Sequence, residues 1–132
     1  MRLFPSVSGP DGPDVETLVE NGVTVVACQG ELDVASARKL DAALTSATDA
    51  PLVLDLCSLN FIDSSGLFIV VKHHHVRPDS FVIACLPDGA PAQLFDMTGM
   101  SQDGTANPSA LRVFSSRDAA IASFVGAPVR AV

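Results

Sequence analysis

The first apolar pattern in the chain indicates two short strands. Val15–Glu20 follows a period of two, and Val23–Cys28 is a second run of strand-forming residues. Asn21-Gly22 stands between them, and this pair favours a type I′ turn because both of its positions need a positive φ. The chain therefore predicts a β-hairpin at the start of its folded part.

Helical spacing follows the hairpin. Ala37, Leu40, Ala43 and Leu44 lie on one face of a predicted helix over Val34–Ala47. Asp33 is the predicted N-cap, because its carboxylate can accept a first-turn N–H. The four residues Gly30-Glu31-Leu32-Asp33 interrupt both patterns and are predicted to form a loop.

Strands and helices alternate through the rest of the chain. Pro51–Leu56 is continuous except for Asp55 and predicts a central strand that is covered on both faces. The further predicted elements are a helix over Ser64–His75, a strand over Phe81–Cys85, a helix over Pro91–Met97 ended by Gly99, a polar loop over 101–109, a strand over Leu111–Phe114 and a helix over Ser116–Phe124. This order predicts an α/β domain with a mostly parallel sheet of about five strands, an N-terminal β-hairpin and about four helices.

Pro, Gly and Ser are frequent in residues 1–13, which predicts a flexible leader before a single domain over 14–126 and a loose tail over 127–132. The net charge of −7 argues against nucleic acid and anionic membranes as partners. No apolar run reaches the roughly 18 residues of a membrane span, and Met1–Pro5 is too short for a signal peptide. We expect a cytoplasmic protein.

Three cysteines, Cys28, Cys57 and Cys85, lie far apart within or beside apolar strands. They lack metal-ligand spacing and are expected to be reduced and shielded. A redox role stays open if two strands place their thiols side by side.

Two hydroxyls, on Ser64 and Ser65, sit where the central strand turns into a helix. The unpaired first-turn N–H groups of a helix favour negative charge, so a phosphate could be received there; the plain alternative is that these residues only cap the helix. Loops at the carboxyl ends of parallel strands meet at one edge of the sheet. The loops around Glu31 and Asp33, over Asn60–Ser65 and over Leu86–Pro91 should therefore gather beside Ser64.

Catalytic and cofactor sites are not predicted. The only histidines, His73–His75, lie about nine residues and on the order of 13 Å from the serines, too far to act as the base of a serine hydrolase. We expect them to form a solvated helix end rather than a metal site. Phosphate-binding glycine motifs are absent from the sequence. Glu31 and Asp33 could form an acid–base pair, or a helix cap beside a surface acid.

Three strings of residues, in this order and at these separations, resemble bacterial anti-sigma factor antagonists, the stand-alone STAS domain proteins. The strings are Gly30-Glu31-Leu32-Asp33, Asp63-Ser64-Ser65-Gly66-Leu67 and Leu94-Phe95-Asp96-Met97-Thr98-Gly99-Met100. The resemblance covers roughly residues 15–125, and the middle string is its most specific part.

The resemblance implies a regulatory binding protein and not an enzyme. Such antagonists bind an anti-sigma factor with a kinase fold, which frees a sigma factor, and they are released when that partner phosphorylates the serine directly after the motif Asp. Here that serine is Ser64, after Asp63, with Ser65 and Gly66 completing the motif. A phosphatase acting on Ser64 is a further implied partner. The implied partner-binding residues are Glu31, Asp33, Asn60, Ile62, Asp63, Ser64 and Leu67.

One departure from the family is Phe68, where these antagonists usually carry a small residue. If it is exposed it would reshape the docking face, and if it is buried it would change only the packing. Two other functions stay open: a STAS-type subunit of a larger assembly without phosphorylation switching, and a small-ligand binding protein that uses the same loops.

Overall fold

Nine elements follow one another in the computed structural model, which describes residues 14–47, 51–77, 79–98 and 111–125. They are β1 (Asp14–Glu20), β2 (Val23–Leu32), α1 (Val34–Ser46), β3 (Leu52–Ile62), α2 (Ser64–Val76), β4 (Phe81–Ala84), α3 (Ala90–Thr98), β5 (Val113–Phe114) and α4 (Arg117–Val125). The predicted leader 1–13, the helix stop at Gly99, the loop 101–109 and the tail 127–132 lie outside the described residues.

The five strands form one sheet in the order β1-β2-β3-β4-β5. β1 pairs with β2 antiparallel, and every later neighbour is parallel. Asn21 and Gly22 in the hairpin have φ values of 53° and 78°, so the turn has the positive φ that the pair predicted. The predicted fold class is confirmed.

The core has two layers, one on each face of the sheet. On one face α1, α2 and α3 bury Leu40, Leu44, Val70 and Phe95 against β2, β3 and β4. On the other face α4 covers the strands with a smaller cluster of residues. That cluster consists of Val23, Val25, Val53, Val82, Ala84, Ala120 and Ile121. β3 therefore lies in the middle of the sheet with helices on both sides, as its apolar run predicted.

Two strands are longer than predicted. β2 continues through Gly30 to Leu32, and β3 continues past Leu56 to Ile62. Residues 30–32 of the predicted loop over 30–33 and residues 60–62 of the predicted loop over 60–65 therefore belong to strands. The pairing of β2 with β3 shifts register between Ala27 and Gln29 and again between Gly30 and Glu31, and Gly30 has a φ of 84°. Such bulges interrupt the period of two, which is why the pattern looked like a loop.

The histidine prediction was wrong for two of the three residues. His73 and His74 are buried and only His75 is exposed. The His73 Nε2 lies 2.6 Å from the Asp41 Oδ1 on α1, and the His74 ring meets Phe81 edge-on with centroids 6.2 Å apart. A carboxylate on the neighbouring helix and an aromatic ring on β4 accommodate the two imidazoles, so the end of α2 packs onto the protein instead of facing water.

Cys28, Cys57 and Cys85 form no disulfide, as predicted, and Cys28 and Cys85 are buried. Cys28 and Cys85 are buried on the same face of the sheet, but β3 separates their strands by about 10 Å. Cys57 packs on the opposite face. Burial raises the pKa of Cys57 to about 12 and that of Cys85 to about 11, which keeps both thiols protonated. Cys28 and Cys85, which share one face of the sheet, therefore lie too far apart for the pairing that the redox alternative requires.

Candidate functional site

Asp63 closes the turn from β3 into α2. It is the N-cap, with φ −110° and ψ −173°, and its Oδ1 accepts the N–H of Ser65 at 2.9 Å and of Gly66 at 3.2 Å. Its own N–H donates to the Leu32 carbonyl at the end of β2, at 3.2 Å. One residue thus begins the helix and fastens it to the neighbouring strand.

Ser64 is the first residue of α2 and is exposed. Within the part of the chain that the structure describes, its hydroxyl makes no hydrogen bond, because the cap is supplied by Asp63. Two of the first-turn amides, those of Ser65 and Gly66, are already paired with the Asp63 carboxylate. The turn is therefore a poor receptor for a free anion, and it presents a serine hydroxyl to solvent.

Ser65 and Gly66 are less accessible than Ser64. Ser65 is half-buried and Gly66 is buried. A Cβ on Gly66 would lie 2.7 Å from the Leu32 Cγ and 3.1 Å from the Ile62 Cγ1. The motif glycine is needed because the first turn of α2 lies directly on the ends of β2 and β3.

Asp33 and Ser36 form a reciprocal capping box at the start of α1. The Asp33 Oδ1 accepts the Ser36 N–H at 3.1 Å, and the Asp33 N–H donates to the Ser36 Oγ at 3.0 Å. Ser36 Oγ also donates to the Glu31 carbonyl at 2.7 Å. The backbone hydrogen bond from Ser36 lowers the pKa of Asp33. The predicted N-cap is confirmed, and the cap engages the carboxylate that an acid–base pair with Glu31 would need.

The ends of β2 and β3 bring two of the three predicted loops together. The last register pairs are Glu31 with Phe61 and Leu32 with Ile62, so Asp33 and Asp63 follow adjacent strands at the same level. β4 is shorter, and its last partner on β3 is Asp55. The Leu86–Pro91 segment therefore leaves the sheet seven residues earlier along β3 than Ile62 does.

The remaining predicted partner-binding residues differ in exposure. Asn60 is exposed, Leu67 is half-buried, and Ile62 is buried in the core below Gly66. The side chain of Ile62 thus supports the turn from below. The assignment of these residues to partner binding stays a prediction.

Two exposed aromatic residues add to this end of the molecule. Phe68 is 63% exposed and stands one helical turn after Ser64, and Phe61 is 44% exposed opposite Glu31. The sequence left the exposure of Phe68 open. It gave no signal for Phe61, because the pattern ended β3 at Leu56.

The charge at this end is negative. Glu31, Asp33 and Asp63 lie in or beside the ends of β2 and β3, and residues 29–36 and 58–68 contain no Lys or Arg. Among the described residues, no group of three or more His, Cys, Asp or Glu side chains could hold a metal ion. Within the same residues, no helix has the length and apolar character needed to cross a membrane.

Comparison with known proteins places this geometry in a family. The chain is similar to an anti-sigma factor antagonist from Mycobacterium paratuberculosis, with 25% identity, a TM-score of 0.71 and coverage of 89% of this chain and 97% of the other. It is also similar in fold to the unphosphorylated form of the anti-sigma factor antagonist SpoIIAA, with 17% identity, a TM-score of 0.58 and coverage of 88% and 100%. A model of the STAS domain matches residues 14–120. The chain belongs to the STAS domain family.

Proposed function

We propose that this chain is an anti-sigma factor antagonist that binds an anti-sigma factor with serine kinase activity, and that phosphorylation of Ser64 ends the binding. Binding frees the sigma factor that the anti-sigma factor holds. The chain is then a regulatory binding protein of the cytoplasm and a substrate of its partner, not an enzyme. The family membership and the likeness to the two antagonists support this function.

The main support for a phosphorylation switch is that Asp63 caps the helix while the neighbouring Ser64 hydroxyl stays exposed. Asp63 holds the first-turn amides, and the Ser64 hydroxyl is exposed and unbonded within the described structure. The γ-phosphoryl group of ATP can be transferred to the Ser64 Oγ, with release of ADP and the hydroxyl proton, without the loss of a hydrogen bond that supports the fold.

Phosphorylation of Ser64 would change the charge mainly around the start of α2. A phosphoserine adds about −1.5 to −2 charges beside the Asp63 carboxylate, at an end that already carries Glu31 and Asp33. The helix N-terminus offsets part of this repulsion, since its dipole favours negative charge. A partner surface that fits the neutral serine would meet added bulk and charge, which favours release. A phosphatase that hydrolyses the phosphoserine would restore binding.

The decisive experiment uses purified protein and a purified kinase-type anti-sigma factor from the same organism. Affinity is measured by calorimetry for the wild type, Ser64→Glu and the matched control Ser65→Glu, and the phosphopeptide is mapped after incubation with ATP. We expect phosphate on Ser64 and loss of binding for Ser64→Glu.

Two outcomes would contradict the proposal. Phosphate found on Ser65 alone would show that Ser65, and not Ser64, is the phosphate acceptor. Binding that neither ATP nor Ser64→Glu affects would instead support the alternative of a STAS-type subunit without switching.

A further inference from the structure

Phe68 is a large apolar side chain held in solvent beside the proposed acceptor. It is 63% exposed, although it belongs to a helix whose Gly66, Ile69 and Val70 are buried. Burying a Phe side chain is favourable, so the exposure of Phe68 leaves this contribution to stability unused in the chain alone. A partner surface that covers Phe68 would recover it.

The geometry of α2 puts Phe68 and Ser64 on one outward face. They are four residues apart, which places their Cβ atoms about 5–6 Å from each other on a helix. The buried residues of α2 point the opposite way, towards β3 and β4. Lys72 and His73 contact the Asp41 carboxylate of α1. Both Ser64 and Phe68 are exposed.

The position of Phe68 next to Ser64 indicates which partner would cover its side chain. A kinase that transfers phosphate to the Ser64 Oγ must approach α2 closely at that hydroxyl, and a side chain one turn away falls inside any footprint of that kind. On the basis of the proposed function, we infer that Phe68 is the anchor that selects the anti-sigma factor, by entering an apolar pocket next to the partner's kinase site. The carboxylates of Glu31 and Asp63 nearby suit a basic rim around that pocket.

The same placement connects recognition with release. A phosphoryl group on Ser64 would stand one turn from the buried ring of Phe68 and would bring a dianion to the mouth of an apolar pocket. The ring could then stay buried only if that charge were desolvated, which is unfavourable. Phe68 should therefore increase both the affinity for the partner and the loss of affinity on phosphorylation.

The test compares Phe68→Ala with Val76→Ala. Val76 is 73% exposed on the same helix, twelve residues from Ser64, or about 18 Å along the axis. Both changes replace an exposed apolar residue with a good helix former, so thermal unfolding should stay unchanged. Against the purified anti-sigma factor, Phe68→Ala should weaken binding by about 30-fold or more and Val76→Ala by less than about 2-fold. Phe68→Leu should recover part of the affinity.

The outcomes separate this inference from the proposed function. If Ser64→Glu abolishes binding and Phe68→Ala binds like the wild type, the anchor is refuted and the function stands. If the wild type binds no kinase-type anti-sigma factor, both are refuted. Analytical ultracentrifugation of the chain alone tests the other occupant: a homodimer that Phe68→Ala dissociates would show that Phe68 contacts a second copy and would overturn the inference.

Discussion

Arg117 and Asp55 form an ion pair between the first residue of α4 and the middle of β3, with the Arg117 Nε 2.8 Å from the Asp55 Oδ2. Asp55 is buried, and its Oδ1 also accepts the Cys57 N–H at 2.9 Å. The Arg117 Nη1 reaches Glu20 on β1 at 3.0 Å. The hydrogen bond to Asp55 raises the pKa of Arg117. A single guanidinium therefore fastens α4 to the sheet and to its edge strand.

Arg117→Met should lower the free energy of unfolding by about 2–3 kcal/mol, because it leaves the Asp55 carboxylate buried without its cation. Urea unfolding measures this loss. The double variant Asp55→Leu/Arg117→Met removes both charges and should recover much of the stability. Equal losses in the single and double variants would show that the ion pair is not the cause.

Ser64→Ala should change the free energy of unfolding by less than about 0.5 kcal/mol, whereas Asp63→Ala should cost about 1–2 kcal/mol. The reason is that Asp63, and not Ser64, accepts the first-turn N–H groups. Thermal unfolding of both variants checks the difference. A Ser64→Ala protein that is less stable than Asp63→Ala would assign the cap to the serine.

Gly66→Ala should destabilise the protein by about 1–3 kcal/mol, although Ala is the better helix former by about 1 kcal/mol. The added methyl would lie 2.7 Å from the Leu32 Cγ, so α2 or β2 must shift. Ser65→Ala on the same turn is the matched control. A double-mutant cycle with Leu32→Ala should show favourable coupling, since the smaller side chain makes room. Purely additive losses would argue against this contact.

The stability should decrease as the pH falls below about 6.5, and His74 should account for part of the decrease. Burial, with smaller contributions from His75 and Arg112, lowers the pKa of His74, so the folded protein keeps it neutral where the unfolded chain binds a proton. Its contribution is complete above pH 6.5 and is lost as the pH falls towards the folded pKa. His74→Gln should reduce the slope of the free energy of unfolding against pH by at most about 1.4 kcal/mol per pH unit. A pH dependence of the free energy of unfolding that His74→Gln does not alter would exclude this residue.

Native labelling of the cysteines with a thiol reagent should be slow at pH 7–8, with Cys57 reacting before Cys28 and Cys85. Cys57 is only half-buried, but its pKa of about 12 leaves little thiolate. Mass spectrometry before and after denaturation measures the three rates. Rapid native labelling of Cys28 or Cys85 would mean that the sheet opens locally.

Local signals in the sequence predicted the helix starts well. Asp33 and Asp63 each cap a helix through contacts within three residues, so the sequence alone contains the necessary information. The fold class followed in the same way from the alternation of elements.

Tertiary contacts explain what the sequence did not predict. The partner of His73 is Asp41, 32 residues away, and the ends of β2 and β3 depend on bulges that only the paired strands reveal. The exposure of Phe68 likewise depends on how α2 packs against the sheet. Apolar residues surround most of this helix, so a periodic pattern in the sequence could not show which side faces solvent.

The strand order has a consequence for how the chain is made. Each strand of the sheet lies next to the strand that precedes it in the sequence, and the residues from Glu31 to Phe68 come from β2, α1, β3 and α2 without interruption. During synthesis, these elements emerge together and can pair before β4 and β5 exist. The proposed partner-binding end of the molecule is therefore encoded as one continuous block, which recombination could exchange between related chains without cutting through it.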